Sequence, residues 1–448
     1  MKSSCALLWF LFGLGSQLQI VASLSFTELF VFATAPILFF KERVFMKRDG
    51  IMPFFYFSLV LVCGCAIACV ANQTQSGFVL RGMAVCCLMP CSIIVAHWLL
   101  RKDMAGLKWS FLGGAASGIL CTFVFQKSVE VVGMSGGVVD ANTAVDIMGG
   151  ATYWIHRLGA FVTLPVKGWY LRCPVFYCVG APLFMAAFSM LTSVSGRGSA
   201  ARAIAAGVLV LIGGKRRAAI RNHICRGFWW IVLLAIVGVF SVKWAYQTAA
   251  TQGWLGEQAL AKYEVQTKGR TGFMALLLGG RMESFCGLLA CIDKPIVGFG
   301  PWAIDTRGYQ TEFLARYADR TDYENYLKTV AYAETKGIST LGLIPCHSVV
   351  TEFWLWYGLG GLVFCAYVFY AVLRYLRQDC WVIPQWYFWL GASAPGLFWD
   401  LCFNPFSDRV GLPLFVVACL MARAVRQGRF QLPYAMVREI EGNERKRK

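Results

Sequence analysis

Runs of about twenty apolar residues, separated by short segments rich in lysine and arginine, recur along almost the whole chain and constrain its fold more than any other feature. In a bilayer no water is present to satisfy backbone polar groups, so such a run crosses as a helix. Candidate spans lie near residues 5–23, 25–41, 52–71, 79–100, 109–126, 142–166, 173–192, 199–213, 227–243, 351–373, 381–400 and 409–424. The expected fold is an all-α polytopic membrane protein with about twelve transmembrane helices. Composition agrees: 58% of the 448 residues are apolar and 15% charged, too little charge to cover a soluble protein of this length. The sixth run, which carries Asp146, His156 and Arg157, is the weakest. The first run, with Lys2 ahead of its apolar core, also has the form of a signal peptide cut after Ser23. Eleven further segments favour its retention as a span.

The formal net charge of +18 would suggest nucleic acid in a soluble protein. Here the basic residues fall in short clusters between apolar runs, the pattern of cytoplasmic loops, and no nucleic-acid partner is expected. With the amino terminus inside, the inner clusters are Lys41 to Arg48, Arg101 to Lys108, Lys167 to Arg172, Lys215 to Arg226 and Arg374 to Arg377, with the basic tail that ends at Lys448. The short outer loops carry little positive charge, and Asn72 to Gly77 carries none. Both termini are therefore expected in the cytoplasm.

Residues 244–350 hold no convincing span, and their ten acidic residues balance ten basic ones. They are expected to form one large, mostly helical outer loop between spans 1–243 and spans 351–424, followed by a basic tail over 425–448. Most cysteines lie in apolar runs, where they act as small apolar side chains. Cys286, Cys291 and Cys346 lie in the large loop and are open either to a disulfide or to remaining free thiols. No Cys-x-x-Cys pairs with a histidine cluster, so neither a metal nor another cofactor is expected.

Several polar residues gather around this loop. His347 sits at its end, at the membrane edge, with a ring that can take a proton from a hydroxyl near neutral pH. Arg281 follows an apolar run, and Arg197 sits between glycines in Ser195-Gly196-Arg197-Gly198; each guanidinium fork suits a phosphate. Arg281-Met282-Glu283 leads to Pro295-Ile296-Val297-Gly298-Phe299-Gly300, and His347-Ser348 precedes Gly358 by eleven residues and Gly361 by three more.

This order resembles the O-antigen ligase and O-antigen polymerase superfamily. Its members show a Ser-Arg-Gly turn, an Arg-x-Glu segment leading to Pro-x-x-Gly-x-Gly, and a His-Asn pair with the same spacing to two glycines. The topology is similar too: about twelve spans, both ends inside, and a large periplasmic loop between spans nine and ten. In this chain the turn is longer by one glycine, and Ser348 stands where the family has asparagine.

The resemblance implies metal-independent glycan transfer in the bacterial inner membrane. The donor would be a glycan on undecaprenyl diphosphate, and the acceptor a lipid A-core or another glycan. His347 would act as base, and Arg281 and Arg197 would neutralise the departing diphosphate. Glu283, Glu352 and Ser348 would support them. Ligase activity, onto lipid A-core, is the first expectation; repeat-unit polymerisation is the alternative. A lipid-glycan transporter is a competing class, but the spans carry few of the charges transporters use, chiefly Glu28, Arg81 and Asp400.

Overall fold

The computed structural model describes residues 2–16, 18–21, 24–120, 282–317, 343–346, 348–379 and 409–431, with scattered positions between 226 and 254 and between 382 and 402. The expected spans at 142–166, 173–192 and 199–213, most of 227–243 and 381–400, and the tail from 432 lie outside the described residues.

The described residues are mostly helical. In chain order they form α1 (Lys2–Leu14), strands β1 (Gln19–Val21) and β2 (Leu24–Ser25), α2 (Phe26–Asp49), α3 (Met52–Ala71), α4 (Ser76–Lys102) and α5 (Leu107–Ile119). There follow α6 (Met282–Asp293), α7 (Tyr309–Tyr317), α8 (Val349–Tyr357), α9 (Leu359–Arg374) with a π-helical continuation Tyr375–Asp379, and α10 (Gly411–Arg426). Among the described residues, three helical stretches are long and apolar enough to cross a membrane: Met52–Ala71, Ser76–Lys102 and Leu359–Asp379.

Several boundaries differ from the hydropathy reading for local reasons. The first apolar run is not one helix: α1 stops at Leu14, and the chain turns through the antiparallel β1–β2 pair. Ser25 then opens α2 with a capping box. Its backbone N–H donates to Glu28 Oε2 at 2.8 Å, and its hydroxyl accepts from the Glu28 N–H at 3.3 Å. Glu28, an acid inside an apolar run, is thus a capping residue, and Arg409 pairs with it at 3.6 Å. The cluster Lys41 to Arg48, expected as a loop, forms the last turns of α2, which ends only where Gly50 adopts the left-handed conformation.

Helix α4 is the hub, packing against α2, α3 and α10, while α1 lies along α5. Trp9 ties the latter pair to the turn before α5, donating its indole N–H to Asp103 O at 2.9 Å. Helix α3 runs antiparallel to α9: Phe57 stacks on Tyr367 with centroids 4.5 Å apart, while Gly64 abuts Tyr357, the last residue of α8. One end of the bundle therefore collects the carboxy-terminal turns of α2, α4, α9 and α10, with Arg48, Arg101, Lys102, Arg374, Arg423 and Arg426. The other end holds Asn72 after α3, the α8–α9 junction and the segment after α6.

Candidate functional site

The expected tenth span is two helices. Ser348 caps α8, accepting from Thr351 N–H at 3.3 Å, and α8 ends at Gly358. Gly358 has φ 57° and ψ −141°, a conformation that essentially only glycine adopts, and α9 starts immediately after it. A Cβ at this position would lie 2.0 Å from Ile296 O. The break exists because another segment of chain occupies the space.

That segment is the Pro295–Gly300 turn. Phe299 N–H donates to Leu355 O at 2.6 Å, and Leu359 N–H donates to Ile296 O at 2.9 Å. These bonds satisfy backbone groups that the interrupted helix leaves open. Trp354 Nε1 donates to Pro295 O at 2.9 Å. Asn72 Nδ2 donates to Gly298 O at 3.0 Å, and Lys294 Nζ donates to Asn72 Oδ1 at 2.5 Å. The two sequence segments singled out around residues 295–300 and 358–361 are therefore one structural unit fastened to the end of α3.

The unit is extended by aromatic and polar contacts. Trp302 packs on Trp356 with centroids 4.6 Å apart, and the Arg81 guanidinium lies 5.4 Å above Trp302. Asp305 opens α7 by accepting from the backbone N–H groups of Tyr309 at 2.8 Å and Gln310 at 2.9 Å. The Tyr309 hydroxyl donates to Asp293 Oδ2 at 2.6 Å, beside Arg307 Nη1 at 3.1 Å. Burial, then the Asp293 carboxylate, pushes the Tyr309 phenol up to about 12, so this hydroxyl stays protonated.

The residues flanking His347 are anchored on both sides. Before it, Ile344 N–H donates to Ala303 O at 2.9 Å and Ile304 bridges Leu343. Cys346 lies against α6, where a Cβ on Gly287 would sit 2.3 Å from its sulfur. After it, the Ser348 hydroxyl donates to Leu401 O at 3.0 Å while capping α8. That hydroxyl is engaged by the fold on both counts, so Ser348 acts as an anchor. Glu352 is buried in the first turn of α8, where the helix N-terminus favours a carboxylate.

Cys286, Cys291 and Cys346 gather on the buried side of this unit as thiols outside any disulfide. Cys291 donates to Thr351 O at 3.5 Å, and burial pushes its thiol up to about 12. Burial pushes Cys346 well above the usual thiol range, and the neighbouring Cys291, Glu352 and Cys286 push it further. Thiols held protonated in this way are poor nucleophiles.

Of the residues selected from sequence, Ser348 and Glu352 thus meet at one helix start. Glu283 lies in the first turn of α6, with its side chain outside the described atoms. His347, Arg281 and Arg197 lie outside the described residues.

A second polar cluster, at the basic end, escaped the sequence reading. His97 is fully buried between two carboxylates of α2: its Nε2 is 3.1 Å from Asp49 Oδ2 and its Nδ1 3.3 Å from Glu42 Oε2. Arg101 Nη1 donates to Glu42 Oε2 at 2.9 Å, and its guanidinium lies 3.6 Å over the Phe45 ring. Arg48 Nε donates to Asp49 Oδ1 at 2.9 Å. Burial alone would raise both carboxyl groups, but His97 with Arg101, and His97 with Arg48, outweigh it and hold Glu42 and Asp49 below the usual range. The spacing was a usable signal: Glu42 and Asp49 are seven residues apart, and His97 and Arg101 four, so each pair shares one helix face.

Fold and composition define a helical membrane protein, with three described helices able to cross a bilayer. Comparison with protein-family models, with curated proteins and with solved structures gives no match to this chain.

Proposed function

We propose that this protein is a membrane glycosyltransferase that moves a glycan from undecaprenyl diphosphate to an acceptor hydroxyl, an O-antigen ligase with a lipid A-core acceptor. A repeat-unit polymerase of the same superfamily differs only in its acceptor. The reading includes about twelve spans in the bacterial inner membrane, both termini in the cytoplasm and residues 244–350 in the periplasm. The gathering of basic residues at one end of α2, α4, α9 and α10 supports that orientation.

The observation that carries the reading is the docking of Pro295–Gly300 into the break at Gly358. Two of the segments that resemble the superfamily support each other physically, at the start of a helix long and apolar enough to cross a membrane. In the proposed reaction an acceptor oxygen bonds to the anomeric carbon, the bond from that carbon to the diphosphate oxygen breaks, and His347 takes the acceptor proton. Arg281 and Arg197 stabilise the charge left on the lipid diphosphate. Glu352 lies buried in the first turn of α8, five residues after the proposed base in the sequence.

A lipid-glycan flippase is the second reading, and the broken helix favours it, because transporters build sites at such breaks. Gly358 lies beside Gly298, which is bonded to Asn72 just past the end of α3, and not midway along the bundle. That position fits a site at the membrane edge better. Purified protein, lipid-linked glycan and lipid A-core in one vesicle test the two. Glycan transfer that disappears in His347→Ala supports the transferase; full transfer by that variant removes the base assignment. Translocation without transfer supports the flippase. Deletion of the gene without any change in surface glycan would overturn both.

A further inference from the structure

The basic end carries a second charged group with different chemistry. Asp379 is the sole acid of α9, its π-helical continuation and α10, and it is buried. Arg426 Nε pairs with it at 2.5 Å, and Arg426 Nη2 donates to Gln378 Oε1 at 3.1 Å. Asp379 also feels the charges of Arg374 and Arg423. Arg374 Nη1 donates to the exposed Tyr370 hydroxyl at 2.7 Å.

Arg374, Arg377, Arg423 and Arg426 are the basic residues of these elements and Asp379 is their one acid, an excess of three positive charges among the described residues. Of the helices packed against α9 and α10, α3 and α4 contain no acidic residue, and Glu352 of α8 lies at the other end of the bundle. Glu42 and Asp49 of α2 are already engaged by His97, Arg101 and Arg48. The Nε groups of Arg374 and Arg423 are buried and have no hydrogen-bond partner among the described residues. Buried donors without acceptors carry a desolvation cost that an anion would remove. Arg426 is exposed, so the cluster is open to the surroundings.

We propose that Arg374, Arg423 and Arg426 form a binding site for the phosphodiester headgroup of an anionic phospholipid. The guanidinium fork matches phosphate oxygens in pairs. The site lies at the end of Leu359–Asp379, a helix long and apolar enough to cross a bilayer, which sets the cluster at headgroup depth. A free phosphate offers the same oxygens, but only a lipid is held at that depth by its own chains. Asp379 keeps Arg426 oriented and lowers the net charge, so that the site takes a monoanion.

The test uses the full chain in detergent, with short-chain phosphatidylglycerol and phosphatidylcholine as probes and bound lipid read by native mass spectrometry. Phosphatidylglycerol should bind in preference, and added salt should weaken that preference. The double variant Arg374→Gln/Arg423→Gln should weaken phosphatidylglycerol binding by about 30-fold, from about fivefold per arginine at a membrane surface. Arg81→Gln, at the other end of the bundle, should leave it unchanged. Equal binding of the two lipids by the natural protein overturns the proposal, and that measurement stands even if the double variant fails to fold. An equal loss in Arg81→Gln also overturns it. Inorganic phosphate that displaces phosphatidylglycerol at comparable concentration would replace the lipid with a free anion and so overturn the assignment.

Discussion

Replacing Gly358 by alanine tests the junction on which the functional reading depends. The added methyl forces a residue with φ 57° and ψ −141° into a region essentially closed to side chains, at a cost of about 1–3 kcal/mol. It would also sit 2.0 Å from Ile296 O and 2.6 Å from Ile296 C and Val297 C. Backbone atoms cannot swing aside as a flexible side chain can, so the Pro295–Gly300 turn must move away. That movement breaks Leu359 N–H to Ile296 O and Phe299 N–H to Leu355 O, worth about 0.5–1.5 kcal/mol each. The total is about 2–6 kcal/mol, concentrated at one site. Amide hydrogen exchange of Phe299 and Leu359 reads it directly: a loss near 3 kcal/mol speeds exchange roughly 100-fold. Exchange in the last turns of α4, around His97 to Lys102 at the other end of the bundle, should stay near its natural rate. Gly77→Ala is the control, since a Cβ there meets nothing within 4 Å. Unchanged protection at Phe299 and Leu359 in Gly358→Ala would refute the docking.

Two further outcomes follow from the charged and thiol clusters. Glu42 and Asp49 have folded pKa values below their unfolded ones, so their stabilisation is complete above the ordinary carboxylate range and is lost as pH falls through the folded values. Tryptophan fluorescence of the protein in detergent should therefore show destabilisation beginning below about pH 4, and Glu42→Gln/Asp49→Asn should lessen that acid loss. An acid response unchanged in the double variant would remove the cluster as its source. Cys286, Cys291 and Cys346 should escape alkylation at about pH 8 in the folded protein and react after unfolding, as read by peptide mass spectrometry. Native-state labelling of Cys291, or a disulfide between any two of them, would contradict the buried, unbridged thiol arrangement.

What was legible in the sequence depended on which force decides each feature. Hydropathy gives 52–71 for the third span and α3 is Met52–Ala71, because an uninterrupted apolar run has nothing else to be in a bilayer. It misses the end of α2, because lysines and arginines mark a bilayer boundary and not a helix boundary. The helix ends at the Gly50 cap. It misses the hairpin after α1, since Gln19–Val21 pairs with Leu24–Ser25 through backbone groups that hydropathy does not see. The break at Gly358 is hidden for a stronger reason: a glycine inside an apolar run looks like any small span residue until the segment that fills the gap, sixty residues earlier, is known. His97 reads as a lone histidine because its partners Glu42 and Asp49 lie on another helix, although the seven-residue and four-residue spacings announce two matching faces.

The spacing of Gly358 and Gly361 has a physical cause that the sequence alone does not supply. Gly358 interrupts α8 so that Ile296 O can receive the amide of Leu359. The chain must then turn back across its own preceding helix, and a Cβ at Gly361 would lie 2.0 Å from Phe353 O. One glycine admits the foreign turn; the second, one helical turn later, lets α9 leave past α8. Both are needed for the Pro295–Gly300 turn to reach Asn72 at the end of α3 while α9 still packs along α3 through Phe54, Phe57 and Tyr367. If this is the reason for the spacing, Gly361→Ala should loosen the same amides as Gly358→Ala, although the two positions touch different atoms. Exchange that responds to only one of the two substitutions would separate the glycines and leave the spacing without this cause.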